Sequence, residues 1–288
     1  MLKRGRMLAP LIAGLTLASP AVAAPAMWEV RDADSSIWLF GSIHILPPEA
    51  NWRTALFDQV MAKADQVVFE ADVGPAAMAD IGAKSFATGI YTDGTLLTDV
   101  IDAAAETKLR ALLDAVHIPM GTVLAMKPWM ATNTVSVAAM ASSGLTAQGV
   151  EYVLQPELPV ERQRYLETGD EQLAVLSGGT AEEQIEMLEY TLDEADRIPK
   201  ITDKMVSSWL QGKTDRMAEL FLEDVGGAQS AFMDRLIYAR NKNWIPSLEG
   251  MLKENTQALV VVGAAHLTGE GSVLDLLEQA GYTVEQIQ

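Results

Sequence analysis

The alternation of apolar and polar positions is clearest at the two ends of the chain. Trp28 to Val30 and Ser36 to Phe40 read as β-strands, with Asp32-Ala33-Asp34-Ser35 as the turn between them. Pro47-Pro48 interrupts the chain, residues near Trp52 to Ala64 carry a helical pattern, and Gln66 to Phe69 is the next strand, ending in Glu70-Ala71-Asp72. Strand, helix, strand in so short a space predicts a βαβ unit with parallel strands. The carboxyl-terminal end repeats the theme. A strand is predicted over Gln257 to Val262, a helix over Gly271 to Ala280 stopped by Gly281, and a last strand over Tyr282 to Ile287.

The middle of the chain is mostly of helical period. Apolar residues recur at helical spacing from Asp99 to Val116, and Pro128 opens a helix predicted to run through Ser143. No charge falls between Pro128 and Val150, and the Thr, Ser, Asn and Gln in that stretch argue for a buried helix over a membrane span. Thr180-Ala181-Glu182-Glu183 is a capping box, and Pro199 should kink or divide the helical stretch after it. Further helices are predicted over Thr214–Glu223, Gln229–Asn243 and Pro246–Lys253, with one short β-like stretch, Arg164 to Leu166, ending in Glu167. The fold class expected is α/β with α+β character. A mixed central sheet is built from amino- and carboxyl-terminal strands around a large helical insertion, with residues 24–288 as one domain because either half-sheet is too small to fold alone.

Residues 1–23 form a separate unit. Lys3, Arg4 and Arg6 precede the apolar run Met7 to Leu17, and Ala21-Val22-Ala23 supplies small residues for cleavage, as in an export signal. The run is too short to span a bilayer. An exported, periplasmic protein is expected, cleaved near Ala23 and without a stable membrane anchor. The formal charge of −18 becomes −21 once that segment, with three basic and no acidic residues, is gone. Such a balance argues against nucleic acid and anionic membranes as partners. Cysteine is absent, so disulfides, thiolate nucleophiles and thiolate ligands are excluded.

Only three histidines occur, and two of them close tetrads of the same form: Gly41-Ser42-Ile43-His44 after Ile37-Trp38-Leu39-Phe40, and Gly263-Ala264-Ala265-His266 after Ala258 to Val262. Each places an imidazole at the carboxyl-terminal end of a strand, where open α/β sheets bind ligands. Gly41 and Gly263 allow a sharp turn or a close backbone approach. Glu70 ends a third strand. Two imidazoles and a carboxylate on one rim are a common set of ligands for a divalent metal with an open water position. Each part alone is weak: a strand-end histidine is more often structural, and a carboxylate there often only meets solvent. Recurrence of the tetrad raises the weight of a shared site. His117, at a predicted helix end, reads as a capping or surface residue, Trp129 and Trp209 as core, and the scattered methionines as core filling.

The segments WLFGSIHILP, VVFEAD, MKPW (Met126 to Trp129), YLETGDEQLAVL (Tyr165 to Leu176), Arg240-Asn241 and VVVGAAHLTGEGSVLDLLEQAGYTV together resemble the TraB/GumN family, which includes the animal Tiki proteases, over nearly the whole mature chain. Gly149-Val150-Glu151 stands where family members show Gly-hydrophobic-Asp, and Leu154 to Pro159 lacks the usual Gly-Lys-Pro turn. The resemblance implies kinship in fold with erythromycin-esterase-like and ChaN-like proteins, and a metal-dependent peptide or amide hydrolase. It implies His44, Glu70 and His266 as ligands of Mn, Co, Zn or Fe. Glu70, Glu167 and Arg240 are implied as catalytic, with Asn241 in support. Two alternatives stay open: a metal-independent esterase-type hydrolase using a His base oriented by a carboxylate, and a non-enzymatic binder of haem, iron or peptide. The partner expected is a peptide or small-molecule substrate.

Overall fold

The computed structural model describes residues 23–142, 144–146, 148–225 and 230–288. The predicted leader, apart from Ala23, lies outside them, as do Ser143 and Gln229 at the predicted helix ends. The strands are β1 (Met27–Arg31), β2 (Ser36–Ser42), β3 (Gln66–Phe69), β4 (Gln163–Tyr165), β5 (Ala258–Gly263) and β6 (Thr283–Gln286). They form one mixed sheet in the order β4-β3-β5-β2-β1-β6. β1 and β2 make the predicted antiparallel hairpin, with Trp28 opposite Leu39, and β6 pairs antiparallel with β1. β2, β5, β3 and β4 are parallel to one another. The parallel relation predicted for β2 and β3 therefore holds, but they are not neighbours: β5, from the other end of the chain, lies between them.

Alternation sorts the strand side chains onto two faces. Trp38, Phe40, Phe69 and Val261 join Phe57, Trp52 and Trp209 on one face. There α1 (Ala55–Lys63) is capped by Thr54, whose side chain accepts from the Phe57 N–H. Ile37, Leu39, Val68 and Val260 face the other way, against Trp244, Leu248 and Leu277. A third core lies within the helical insertion.

That insertion comprises α2 (Pro75–Gly89), α3 (Leu97–Val100), α4 (Ala103–Ala115), α5 (Pro128–Ala141), the short α6 (Val150–Leu154), α7 (Gly169–Ser177), α8 (Ala181–Glu194), α9 (Ile198–Leu210), α10 (Thr214–Val225) and α11 (Ser230–Met233). Leu109, Leu113, Val135, Leu188 and Leu192 pack together from α4, α5 and α8. Thr180 forms the predicted capping box with Glu183, and Pro199 sits in the first turn of α9, separating it from α8. The single helix expected from Asp99 is divided into α3 and α4, with Asp102 as the N-cap of the latter. His117 follows α4 in the left-handed region (φ 59°) and is exposed, as a helix-end residue should be. The two helices predicted on either side of Pro246 are one: α12 (Ala239–Lys253) runs through the proline and follows a π-helical turn, Asp234–Tyr238. α13 (Val273–Gln279) leads to β6.

Candidate functional site

Because β2, β5, β3 and β4 run in one direction, the residues that follow them share one edge of the sheet. The two tetrads meet there directly. A Cβ on Gly41 would lie 3.1 Å from the Ala264 Cα, a tight contact that glycine avoids where the first tetrad packs on the second. At Gly263 a Cβ would lie 3.2 Å from Glu70 Oε1, 3.5 Å from His44 Nε2 and 3.5 Å from the His266 ring. The two imidazoles and the carboxylate singled out in the sequence thus surround one point in space.

Glu70 is buried. Its Oε1 accepts from the Gly263 N–H at 2.6 Å and its Oε2 from Arg240 Nη2 at 2.6 Å. Burial, the largest single influence, pushes this carboxyl up. The two imidazoles, the guanidinium and the Gly263 N–H together outweigh it and hold the group at about 2. Glu167 is carried alongside because β4 extends its pairing, with the Glu167 N–H bonding the Glu70 carbonyl at 2.9 Å. Arg240, from the first turn of α12, lies between the two carboxylates. Its Nε donates to both Glu167 oxygens at 3.1 Å, and its Nη2 bonds Glu167 as well as Glu70. Its Nη1 donates to the Leu236 carbonyl at 3.0 Å and to His266 Nε2 at 3.0 Å. A guanidinium has five N–H donors, and these contacts engage all of them. Arg240 is consequently left without a free donor. Gln172, one turn into α7, ties the carboxylates further, donating to Glu167 at 3.1 Å.

His266 is closed in on every side. Its Nε2 faces the arginine, which can only donate, so Nε2 is the acceptor. Its Nδ1 lies 2.6 Å from Asn241 Oδ1 and must therefore carry the proton. Asn241 in turn donates to the Gly271 carbonyl at 2.8 Å, and Trp244 covers the ring at a centroid distance of 4.4 Å. Burial, reinforced by the Arg240 charge, lowers this imidazole to about 3, although Glu70 works against it.

His44 is the opposite. Its side chain is 59% exposed, and its Nδ1 lies 3.1 Å from Oε2 of Glu151, whose own side chain is 6% exposed. Glu151 is held by the Ser42 hydroxyl, within the first tetrad itself. The negative charge of Glu151 raises the imidazole to about 9. Gly149 makes this contact possible: a Cβ there would stand 2.2 Å from the His44 carbonyl oxygen, and the Val150 N–H bonds the Ile43 carbonyl at 3.2 Å.

A model of the TraB/PrgY/gumN family matches residues 26–286. The chain belongs to this family. No curated protein and no solved structure matches it.

The donor atoms bear on the metal expected from the sequence. His44 Nε2 and Glu70 Oε1 converge on the same point, but the Nε2 lone pair of His266 is taken by Arg240. Among the described residues no group of three His or acidic side chains is arranged to hold an ion. As arranged, the residues do not form a three-donor metal centre. The site residues named from sequence (His44, Glu70, Glu167, Arg240, Asn241, His266, Gly41 and Gly263) all gather here. Sequence reasoning did not assign Glu151 to the site, nor Ser42 and Gln172. The signal for Glu151 was present in Gly149-Val150-Glu151, a glycine and an acid where the stretch free of charge from Pro128 to Val150 ends.

Proposed function

We propose that the protein is an exported hydrolase of amide or peptide bonds in which His44 transfers the proton and Glu151 orients it. The observation that carries this reading is the asymmetry of the site. Of the two imidazoles His44 alone is largely exposed, and a buried carboxylate fixes its Nδ1, the relation that turns an imidazole into a directed base. In the neutral form, Nε2 takes a proton from a water as the water oxygen attacks the carbonyl carbon. The imidazolium then returns that proton to the leaving nitrogen as the C–N bond breaks. Glu70, Arg240, Glu167 and His266 form the rigid floor beside it. The basic n-region, short apolar run and Ala21-Val22-Ala23 at the amino terminus support export. Among the described residues no helix is long and apolar enough to cross a membrane.

A second reading, a hydrolase using a divalent ion, is favoured by the convergence of His44 Nε2 and Glu70 Oε1 on one point. It requires His266 to give up its bond from Arg240. One experiment separates the two: a peptide and amide library is presented to purified protein before and after exhaustive chelation, with His44→Ala as control. Turnover that survives chelation and disappears in His44→Ala supports the base mechanism. Turnover that returns only with added Mn, Co, Zn or Fe, together with loss of bound metal in His44→Ala, supports the second. No turnover under any condition would end both.

A further inference from the structure

His44 and Glu70 meet beside Gly263, yet the strands that deliver them are not neighbours. β5 keeps β2 and β3 two strand spacings apart, about 9.6 Å. One link across that gap is β5 itself, whose Gly263 N–H bonds Glu70. A second link is α6, which holds the exit of β2 at one end and the exit of β3 at the other. At its amino end the Val150 N–H bonds the Ile43 carbonyl at 3.2 Å. Glu151 then takes the Ser42 hydroxyl and lies 3.1 Å from His44 Nδ1. At its carboxyl end stands Gln155, whose N–H bonds the Glu151 carbonyl, so the helical turn continues through it.

Gln155 is 5% exposed, and its side chain is spent on the segment directly after Glu70. Its Nε2 donates to the Ala71 carbonyl at 3.0 Å, and its Oε1 accepts from the Val73 N–H at 2.9 Å. A carboxylate could not make the first bond and an ammonium could not make the second; an amide makes both. The Gln155 carbonyl also accepts from Gln163 Nε2 at 3.0 Å, and Gln163 opens β4, the strand that leads to Glu167. A buried amide that satisfies two loop groups is often structural and nothing more. Here it shares one helical turn with the residue that holds His44. Residues four apart lie on one helix face, about 6 Å along the axis. That rise together with two side chains covers the gap that β5 imposes.

We propose that Gln155 is a positioning residue, the far end of a spacer that with Glu151 sets the separation of His44 from Glu70. Its effect on rate rests on the hydrolase reading above; its effect on the position of Glu70 does not. The test removes both side-chain bonds with Gln155→Leu and follows amide hydrogen exchange by NMR. Exchange should quicken about tenfold or more at Val73 and at Gly263, the N–H that Glu70 holds, relative to Val260 in the middle of the same strand. Gln155→Asn keeps the amide but is one methylene too short to hold both groups. It should give the same shift and carries the test if the leucine variant does not fold. Leu109→Ala, in the separate core of the insertion, lowers stability without touching α6. It should move Gly263 and Val260 together and leave their ratio unchanged. A Gly263 to Val260 ratio that stays native when Val73 opens, or that Leu109→Ala shifts as much, overturns the proposal. On a peptide that the wild type cleaves, both Gln155 variants should lower kcat about tenfold or more with KM within about twofold. A raised KM with kcat intact also overturns it. The two failures are distinguishable. A wild type that cleaves nothing removes the hydrolase reading, and the exchange ratio still decides the role of Gln155. Cleavage with an unmoved ratio removes only the spacer.

Discussion

The two tetrads are alike in sequence and opposite in situation. His266 is buried, its Nε2 accepting from Arg240 and its Nδ1 bonded to Asn241, and its pKa is lowered. His44 is open on one side, backed by Glu151 on the other, and its pKa is raised. A repeated motif has thus been divided between two tasks: one copy fixes the frame and the other meets the solvent. What decides the role of each imidazole is which charged residue the rest of the chain supplies to it, a cation for one and an anion for the other.

The most severe way to break this comparison is at Arg240. Arg240→Met should leave two buried carboxylates unpaired and cost about 3–5 kcal/mol of stability, read as a fall in the urea midpoint together with loss of all turnover. His44→Ala comes next: activity should fall about 10²–10⁴-fold, with a fall of the unfolding midpoint smaller than in Arg240→Met, because the ring is largely exposed but its pairing with the buried Glu151 is lost. An equal loss of stability in this variant would mean that the first histidine is structural as well. Asn241→Ala removes the acceptor for the His266 Nδ1 proton and should cost about 1–3 kcal/mol, again by urea denaturation.

Two gentler tests use pH. Glu151→Gln should bring the His44 titration down from about 9 toward the ordinary value of about 6.5, measured on the ring proton resonances. The rise of kcat/KM with pH should move down with it. An unmoved titration would show that Glu151 does not control the imidazole. The unfolding temperature should also depend on pH in opposite senses at the two tetrads. His44 has a folded pKa above its unfolded value, so its pairing stabilises fully below about 6.5 and that contribution is lost as pH rises through about 9. His266 has a depressed folded pKa, so its contribution is full above about 6.5 and drains away as pH falls toward about 3. His44→Gln should flatten the alkaline limb alone, and His266→Gln the acid limb.

Much of the fold was legible in the chain because it is local. β3 falls on the predicted residues, since the run Gln66 to Phe69 is bounded by a helix end and an acidic exit. The capping box at Thr180 and the Gly281 stop were readable for the same reason: each is a short-range hydrogen-bonding pattern. The insertion of β5 between β2 and β3 was not, because periodicity identifies a strand without naming its neighbours. α12 passing through Pro246 was missed because tertiary packing of Trp244, Leu248 and Leu252 overrides the local penalty of the proline. Glu151 escaped assignment because its meaning depends on His44, far away in sequence, and only the fit of Gly149 against the His44 backbone joins them. The resemblance placed Arg240 in the site, but its saturation by Glu70, Glu167, Leu236 and His266 is a property of three dimensions alone.

The place of β5 also sets an order of events. A ribosome releases β2 and β3 long before it makes the strand that bridges them, and until that strand docks, Glu70 has no Gly263 N–H to hold. An unfinished polypeptide carries His44 on an unclosed scaffold. β5 is the keystone of the arch, and the two tetrads cannot meet until it has been made.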